Sequence, residues 1–205
     1  MANLIDSTYF TRDINIPGTT SPDKPSVISE MIARYEPEYL KKVLGYTLWK
    51  AVQAEIDAAV YTNYAGLIEG AEFSFEYNGY TISTKWNGLK NDEKESPIAY
   101  YAYYKYRKEI ETLNSGLGER RGKGENSKDA SALKKMVDAW NECVNLSGQQ
   151  KKCHKRYRDR FLDNGNYEHV SPESSLFNYL LTKKDEDAYS DWVFSPLWKE
   201  NVFGL

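Results

Sequence analysis

The sequence holds no apolar run approaching the ~20 residues a membrane span needs, so no transmembrane helix is expected. Its opening, MANLIDSTYFTRD, has neither the basic nor the apolar stretch of a secretory signal. Histidine is scarce: His154 and His169 are the only 2, and neither stands in an HExxH, GxSxG or comparable setting. Cysteine is equally scarce, with Cys143 and Cys153 ten apart in a polar, helix-like region. Two cysteines give no disulfide framework, and free thiols in a protein made in the cytoplasm are the expectation. Neither sign of charge dominates, since 27 Lys+Arg against 30 Asp+Glu leave a net charge of -3, so global charge selects no partner.

What the chain does have is amphipathic aromatic surface. There are 17 tyrosines and 5 tryptophans beside a mean hydropathy of -0.71. Tyr and Trp combine large contact area with a polar handle, which suits interfaces, so an assembly or binding role gains weight. The 205 residues fit one domain, or one domain with long arms. A chain of that length buries enough surface to need no covalent staple.

Residues 1–24 read as an N-terminal arm, because Pro17-Gly18 and Ser21-Pro22 punctuate it and no helical period runs through it. Tyr9, Phe10, Ile14 and Ile16 indicate that the arm packs on something. A helical core is expected over 25–162, opening at Pro25, where a missing N–H costs nothing. Val27, Ile28, Met31 and Ile32 share its first face. Pro37 is expected to break or restart that helix, with Tyr39, Leu40, Val43 and Leu44 inward afterwards and Gly45 as a stop. A second helix follows from about Thr47 through Leu48, Val52 and Ile56, with Ala59 or Val60 next in register.

The strongest local signal is 72–86, EFSFEYNGYTISTKW. Asn78-Gly79 between alternating segments predicts a hairpin with a two-residue type I′ turn, pairing Tyr77 with Tyr80, Phe75 with Ile82 and Phe73 with Thr84. One face is then apolar, and since a lone hairpin is marginal in water, that face must lie on a helix or on a neighbouring subunit. A helix from about Ser96 to Leu113 carries tyrosines at 100, 101, 103, 104 and 106 around most of its circumference, which places it between other elements. Residues 114–128, with 4 of the 13 glycines, read as a mobile basic loop. Helix resumes at about Lys128 to Leu146 and either stops near Gly148 or continues through Arg160. The C-terminal 163–205 loses its period apart from SLFNYLL, and its aromatic end, DWVFSPLWKENVFGL, suggests an arm docked on a partner.

Candidate chemistry is thin. Cys143, Cys153, His154 and His169 lack the CxxC spacing of a zinc set, and no metal is expected. GLGERRGKG (116–124) misses the P-loop by one residue, ends in Gly124 where Ser/Thr is needed, and follows a helix rather than a strand, so no cofactor is expected. Asp185-Glu186-Asp187 reads as a solvated turn. Two basic clusters remain as candidate contacts with nucleic acid or an acidic partner surface, and with a DNA channel under the resemblance given below: Arg120, Arg121 and Lys123 in the loop, and Lys151, Lys152, Lys155, Arg156, Arg158 and Arg160 in a helix. For inter-subunit docking the candidates are Phe73, Phe75, Tyr77, Tyr80, Ile82, Trp192, Phe194, Trp198 and Phe203. No catalytic residue is assigned and the chain is not expected to be an enzyme.

RYEPEYLKKVLGYTLWKAV (34–52) and WNGLKNDEKESPIAYYAYYKYRKEIETLNSGLG (86–118), followed by the GENS loop (124–127) and a last amphipathic helix, resemble phage head–tail connector proteins. The likeness, over roughly 25–148, is to the head-completion adaptors of phages and prophages of Bacteroidetes-type hosts. It implies a helical bundle assembling as a ring, expected to be twelvefold, under the portal protein, with terminal arms and loops holding neighbours and the next neck protein. The hairpin and the long C-terminal arm depart from the shortest members. The expectation is therefore a mainly α virion structural protein made in the host cytoplasm, with one inserted β-hairpin and two arms, joining the portal to neck and tail proteins. A soluble nucleic-acid-binding accessory protein using helix 151–160 is the alternative.

Overall fold

The computed structural model describes residues 1–16, 25–111, 113–115, 118–120, 132–148, 174–193 and 197; at 25, 26, 110, 111, 113–115, 118–120, 132 and 133 it describes the backbone alone. The architecture is mainly helical with an inserted antiparallel hairpin, as the hydrophobic periods predict. The helices are α1 (Pro25–Leu44), α2 (Tyr46–Ala58), the short α3 (Ala65–Glu69), α4 (Pro97–Glu111), α5 (Ala132–Ser147) and α6 (Leu176–Lys183). Strands β1 (Ala71–Tyr77) and β2 (Tyr80–Trp86) form the hairpin between α3 and α4. One apolar cluster runs from Leu4 in the N-terminal segment to Leu197.

Helix α1 departs from the expected break at Pro37, because it runs unbroken through that residue. Losing an N–H and crowding the Ala33 carbonyl costs a helix about 3 kcal/mol. Both halves of α1 repay it in the same core: Ile28, Met31, Ile32 and Tyr35 ahead of the proline, and Tyr39, Leu40, Val43 and Leu44 behind it, are all buried. At ~1.5–3 kcal/mol per large apolar side chain, that shared face outweighs the local defect. Helix α2 ends at Ala58 with Ala59 left-handed at its cap, so Val60 lies outside it and is exposed.

Helix α4 sits between α1 and α5, where its ring of tyrosines pointed. Tyr101 and Tyr103 are buried and Tyr100, Tyr104 and Tyr106 partly so. Tyr101 lies 5.4 Å from Tyr39 of α1, and Tyr104 lies 4.9 Å from Trp140 of α5, ring to ring. On the α1 side two carboxylates finish the join. Glu38 accepts from the Tyr101 hydroxyl and from Lys105, each at 2.7 Å, and Glu109 accepts from Tyr35 and pairs with Arg34.

The hairpin has the expected register, Phe73 opposite Thr84, Phe75 opposite Ile82 and Tyr77 opposite Tyr80. Asn78 and Gly79 both have positive φ, 51° and 79°, as a type I′ turn requires. The ribbon is anchored at its base, where the buried Trp86 indole donates to the Leu67 carbonyl at 2.9 Å. A second short ladder pairs β3 (Leu113–Ser115) with β4 (Gly118–Arg120). The stretch expected to begin a mobile loop at 114 thus begins as a tight antiparallel pair, because the backbone N–H and C=O groups beyond α4 find partners in each other. The rest of 114–128 lies outside the described residues, apart from those strands.

Of the two alternatives for α5, stopping near Gly148 is the one observed. Gly148 has φ +90°, and its N–H bonds back to the Val144 and Asn145 carbonyls, both at 3.1 Å. A Cβ there would come within 2.5 Å of Ser175 Oγ and 2.6 Å of Phe177 Cβ, so glycine also permits α6 to approach. Helix α6 is capped by Ser175, whose hydroxyl accepts from the Asn178 N–H. Its residues 176–180 are buried on every side, and it packs against β1, α3 and α5.

Candidate interaction surfaces

The first surface is the seat of the N-terminal segment. Residues 1–16 form no long element, only single 3-10 turns at Ser7–Tyr9 and Arg12–Ile14, yet Leu4, Ile5, Tyr9, Phe10, Ile14 and Ile16 are all buried. The expectation that this arm packs on something is met by the body of its own chain. A strap without regular structure must satisfy its backbone elsewhere. Ala2 N–H donates to Asp57 of α2 at 2.7 Å, and Gln53 donates to the Ala2 carbonyl at 3.1 Å. Leu4 and Ile5 N–H both donate to the Glu36 carboxylate of α1, at 2.7 and 3.3 Å. The Tyr9 hydroxyl bonds to the Asn91 backbone, and Arg12 pairs with Glu95 at 2.6 Å.

Glu36 is the unusual member. Its residue exposure is 1%, the lowest of any acidic side chain among the described residues. Burial pushes its carboxyl up to about 7, against the pull of the two strap N–H groups, which favour the charged form. Its part in seating the strap was not among the sequence expectations, although a signal was present. Glu36 interrupts the stripe Ile28, Ile32, Leu40, Leu44 at strict four-residue spacing, and a lone acid in an apolar stripe needs a dedicated partner.

The second surface is the hairpin. Phe73 and Phe75 are buried, and Phe73 meets Tyr179 of α6 edge-on with ring centres 5.7 Å apart. Their expected inter-subunit role is therefore corrected to an intramolecular one, because α6 supplies the apolar cover that the ribbon requires. Tyr77 and Ile82 are half-buried and Tyr80 at the tip is 73% exposed, so the distal end is what remains available. The outward face is polar, with Ser74 and Ser83 bonded at 3.2 Å and Thr81 donating to Glu76 at 2.5 Å.

A third feature is a groove of about 870 Å³ between the strap, the start of α4 and α5. Arg12, Glu95, Tyr100, Lys134, Asp138 and Glu142 line it, and the ion pairs Arg12–Glu95 and Lys134–Asp138 leave its charge mixed. Exposed pairs of this kind add ~0–1 kcal/mol, and the groove has no single sign to select a phosphate.

Trp192, expected in a docking arm, is likewise corrected. It is buried, its indole donates to the Val43 carbonyl at 3.0 Å, and its ring packs on Phe177 at 5.8 Å. Trp192 thus folds back onto α1 and α6, which present apolar surface to it, and Leu197 is buried too. Phe194, Trp198 and Phe203 lie outside the described residues. So do Arg121, Lys123, Lys151, Lys152, Lys155, Arg156, Arg158 and Arg160, and Arg120 is described by its backbone in β4 alone. Asp185 to Asp187 form an exposed turn, with Glu186 paired to Lys183.

Among the described residues no group of three or more His, Cys, Asp or Glu is placed to hold a metal ion, and no helix is long and apolar enough to cross a membrane. Cys143 is buried and its thiol is pushed up to about 12 by that burial; Cys153, His154 and His169 lie outside the described residues. Comparison with protein-family models, curated proteins and solved structures found no match to this chain.

Proposed function

We propose that the chain is a structural protein of a tailed-phage virion, a head–tail adaptor that joins the portal ring to the neck or tail proteins below it. The observation that carries this reading is that the two segments resembling head–tail connectors fold against each other as the centre of the molecule. Tyr39 from the first packs on Tyr101 from the second, and Glu38 bonds to the Tyr101 hydroxyl. The resemblance thus follows the unit that sets the fold, not scattered surface patches. The hairpin adds support: its base is fixed by Trp86 and Phe73, and its tip offers Tyr80 to solvent, a rigid presentation of an aromatic anchor.

The mechanism of such an adaptor is passive. Shape-complementary docking at each subunit is multiplied by the valency of a closed ring, so weak individual contacts hold firmly together. Mass photometry or negative-stain microscopy of the purified protein, alone and with the portal protein, tests the proposal. A ring of this chain, formed alone or added in mass to the portal ring, supports it. A monomer in both samples, together with absence from purified virions, refutes it. Salt-dependent DNA binding by a monomer would favour the accessory-protein alternative instead.

A further inference from the structure

The buried Glu36 has a consequence for the strap that the adaptor reading neither needs nor explains. Its two carboxylate oxygens hold the N–H groups of Leu4 and Ile5, and these same residues help to bury it, at 5% and 4% exposure. A carboxylate in that position is caught between two demands. The charged form makes the better acceptor for both amides, while the apolar surroundings favour the neutral form. Lifting the strap returns Glu36 to water, where it ionises freely. Closed and open states therefore bind a proton with different affinity.

We infer that the first residues of the chain form a strap whose closure is coupled to proton uptake by Glu36, so that the strap opens more readily as the pH rises through neutrality. The rest of the strap supports a hinged rather than a permanently sealed element. At its far end Arg12 has φ +52°, and Lys94, beneath Tyr9, has φ +60°. Neither residue gains from a left-handed backbone, so the join is held in place by its contacts. No other side chain facing the strap supplies a competing switch in this range, and the chain's amino group, which lies near Asp57, is common to the wild type and Glu36→Gln. On the strap, Tyr9 is raised by burial, and Asp6 is held low by Thr8 with Lys94 and Lys90 nearby. On α2, Asp57 is exposed and held low by Ala2 and Gln53. On α1 and α4, Glu38 is occupied by Lys105 and Tyr101, and Glu109 by Tyr35 and Arg34.

Hydrogen exchange of the Leu4 and Ile5 amides in the full-length protein, corrected for the intrinsic pH dependence of exchange, reads this equilibrium directly. With Glu36 at its ordinary value when open and near neutrality when closed, the opening constant should rise about tenfold between about pH 6 and pH 8. Glu36→Gln, which cannot ionise, should make opening independent of pH. Asp57→Asn, which weakens the strap at an exposed carboxylate, should raise opening equally at both pH values and leave the slope intact. A flat profile in the wild type, or a slope that survives Glu36→Gln, overturns the inference. The readout is made on the isolated chain, so it stands or falls separately from the adaptor proposal.

Discussion

At the scale of single residues, environment decides what apparently similar side chains do. Gly79 and Gly148 both have positive φ, but a Cβ at Gly79 meets nothing within 4 Å, whereas at Gly148 it collides with Ser175 and Phe177. Gly79→Ala should therefore cost only the left-handed backbone, about 1 kcal/mol. Gly148→Ala adds overpacking to that and should cost about 2 kcal/mol or more. Urea denaturation of the two variants side by side separates these terms; equal costs would contradict the close approach of α6 to the end of α5. Cys143 makes a second case. Its buried thiol, pushed up to about 12, should not react with a thiol reagent at neutral pH in a Cys153→Ser background, and should react once the chain is unfolded. Labelling at similar rates in both conditions would show that α5 is not packed as described.

Among the elements, the hairpin was the most legible from the sequence, because its register is dictated by two adjacent residues and a strict alternation. Phe73 and Tyr80 divide its work. Phe73→Ala removes a buried ring in contact with Tyr179 and should cost about 3 kcal/mol in stability, measured by thermal or urea unfolding. Tyr80→Ala, at the exposed tip, should change stability by less than about 0.5 kcal/mol. If the adaptor reading is right, Tyr80→Ala impairs assembly while the subunit stays folded, which co-sedimentation with the portal protein would show. Helix α4 was similarly legible, since tyrosines around most of its circumference require neighbours on more than one side. Pro37 misled for a physical reason: a local rule predicts a break, but four buried apolar side chains on either side of it, packed in one core, outweigh the local cost. The strap and the chain past α6 were opaque for a different reason. Their partners are distant in sequence, as with Leu4 to Glu36 or Trp192 to Val43, and no period within either segment encodes where it docks.

Among the described residues the molecule is a helical core covered by residues 1–16 and by the chain from α6 to Trp192, and much of the aromatic surface suited to a partner is buried within it. Trp192, Phe73 and Phe75 are examples, so the surface free for assembly is smaller than the composition implied. Global stability should carry the signature of Glu36. A carboxyl raised by folding, to about 7, stabilises fully below its ordinary value near 4.5, and that contribution is lost as the pH climbs through 7. The size is at most about 3 kcal/mol. Glu38 acts in the opposite sense. Burial alone would raise it, but its bonds to Lys105 and Tyr101 win and hold it low, so its contribution is present above the ordinary carboxylate range and lost in acid. Glu36→Gln should accordingly flatten the decline in unfolding free energy between about pH 5 and pH 7, while leaving acid unfolding in place. An unchanged decline would locate its cause in another group.

The proposed assembly is tested most directly by the mass distribution of the purified chain, alone and mixed with the portal protein proposed as its partner, by mass photometry. A closed ring of this chain is expected, either formed spontaneously or seated on the portal. A monomer that stays monomeric and leaves the portal unloaded would contradict it.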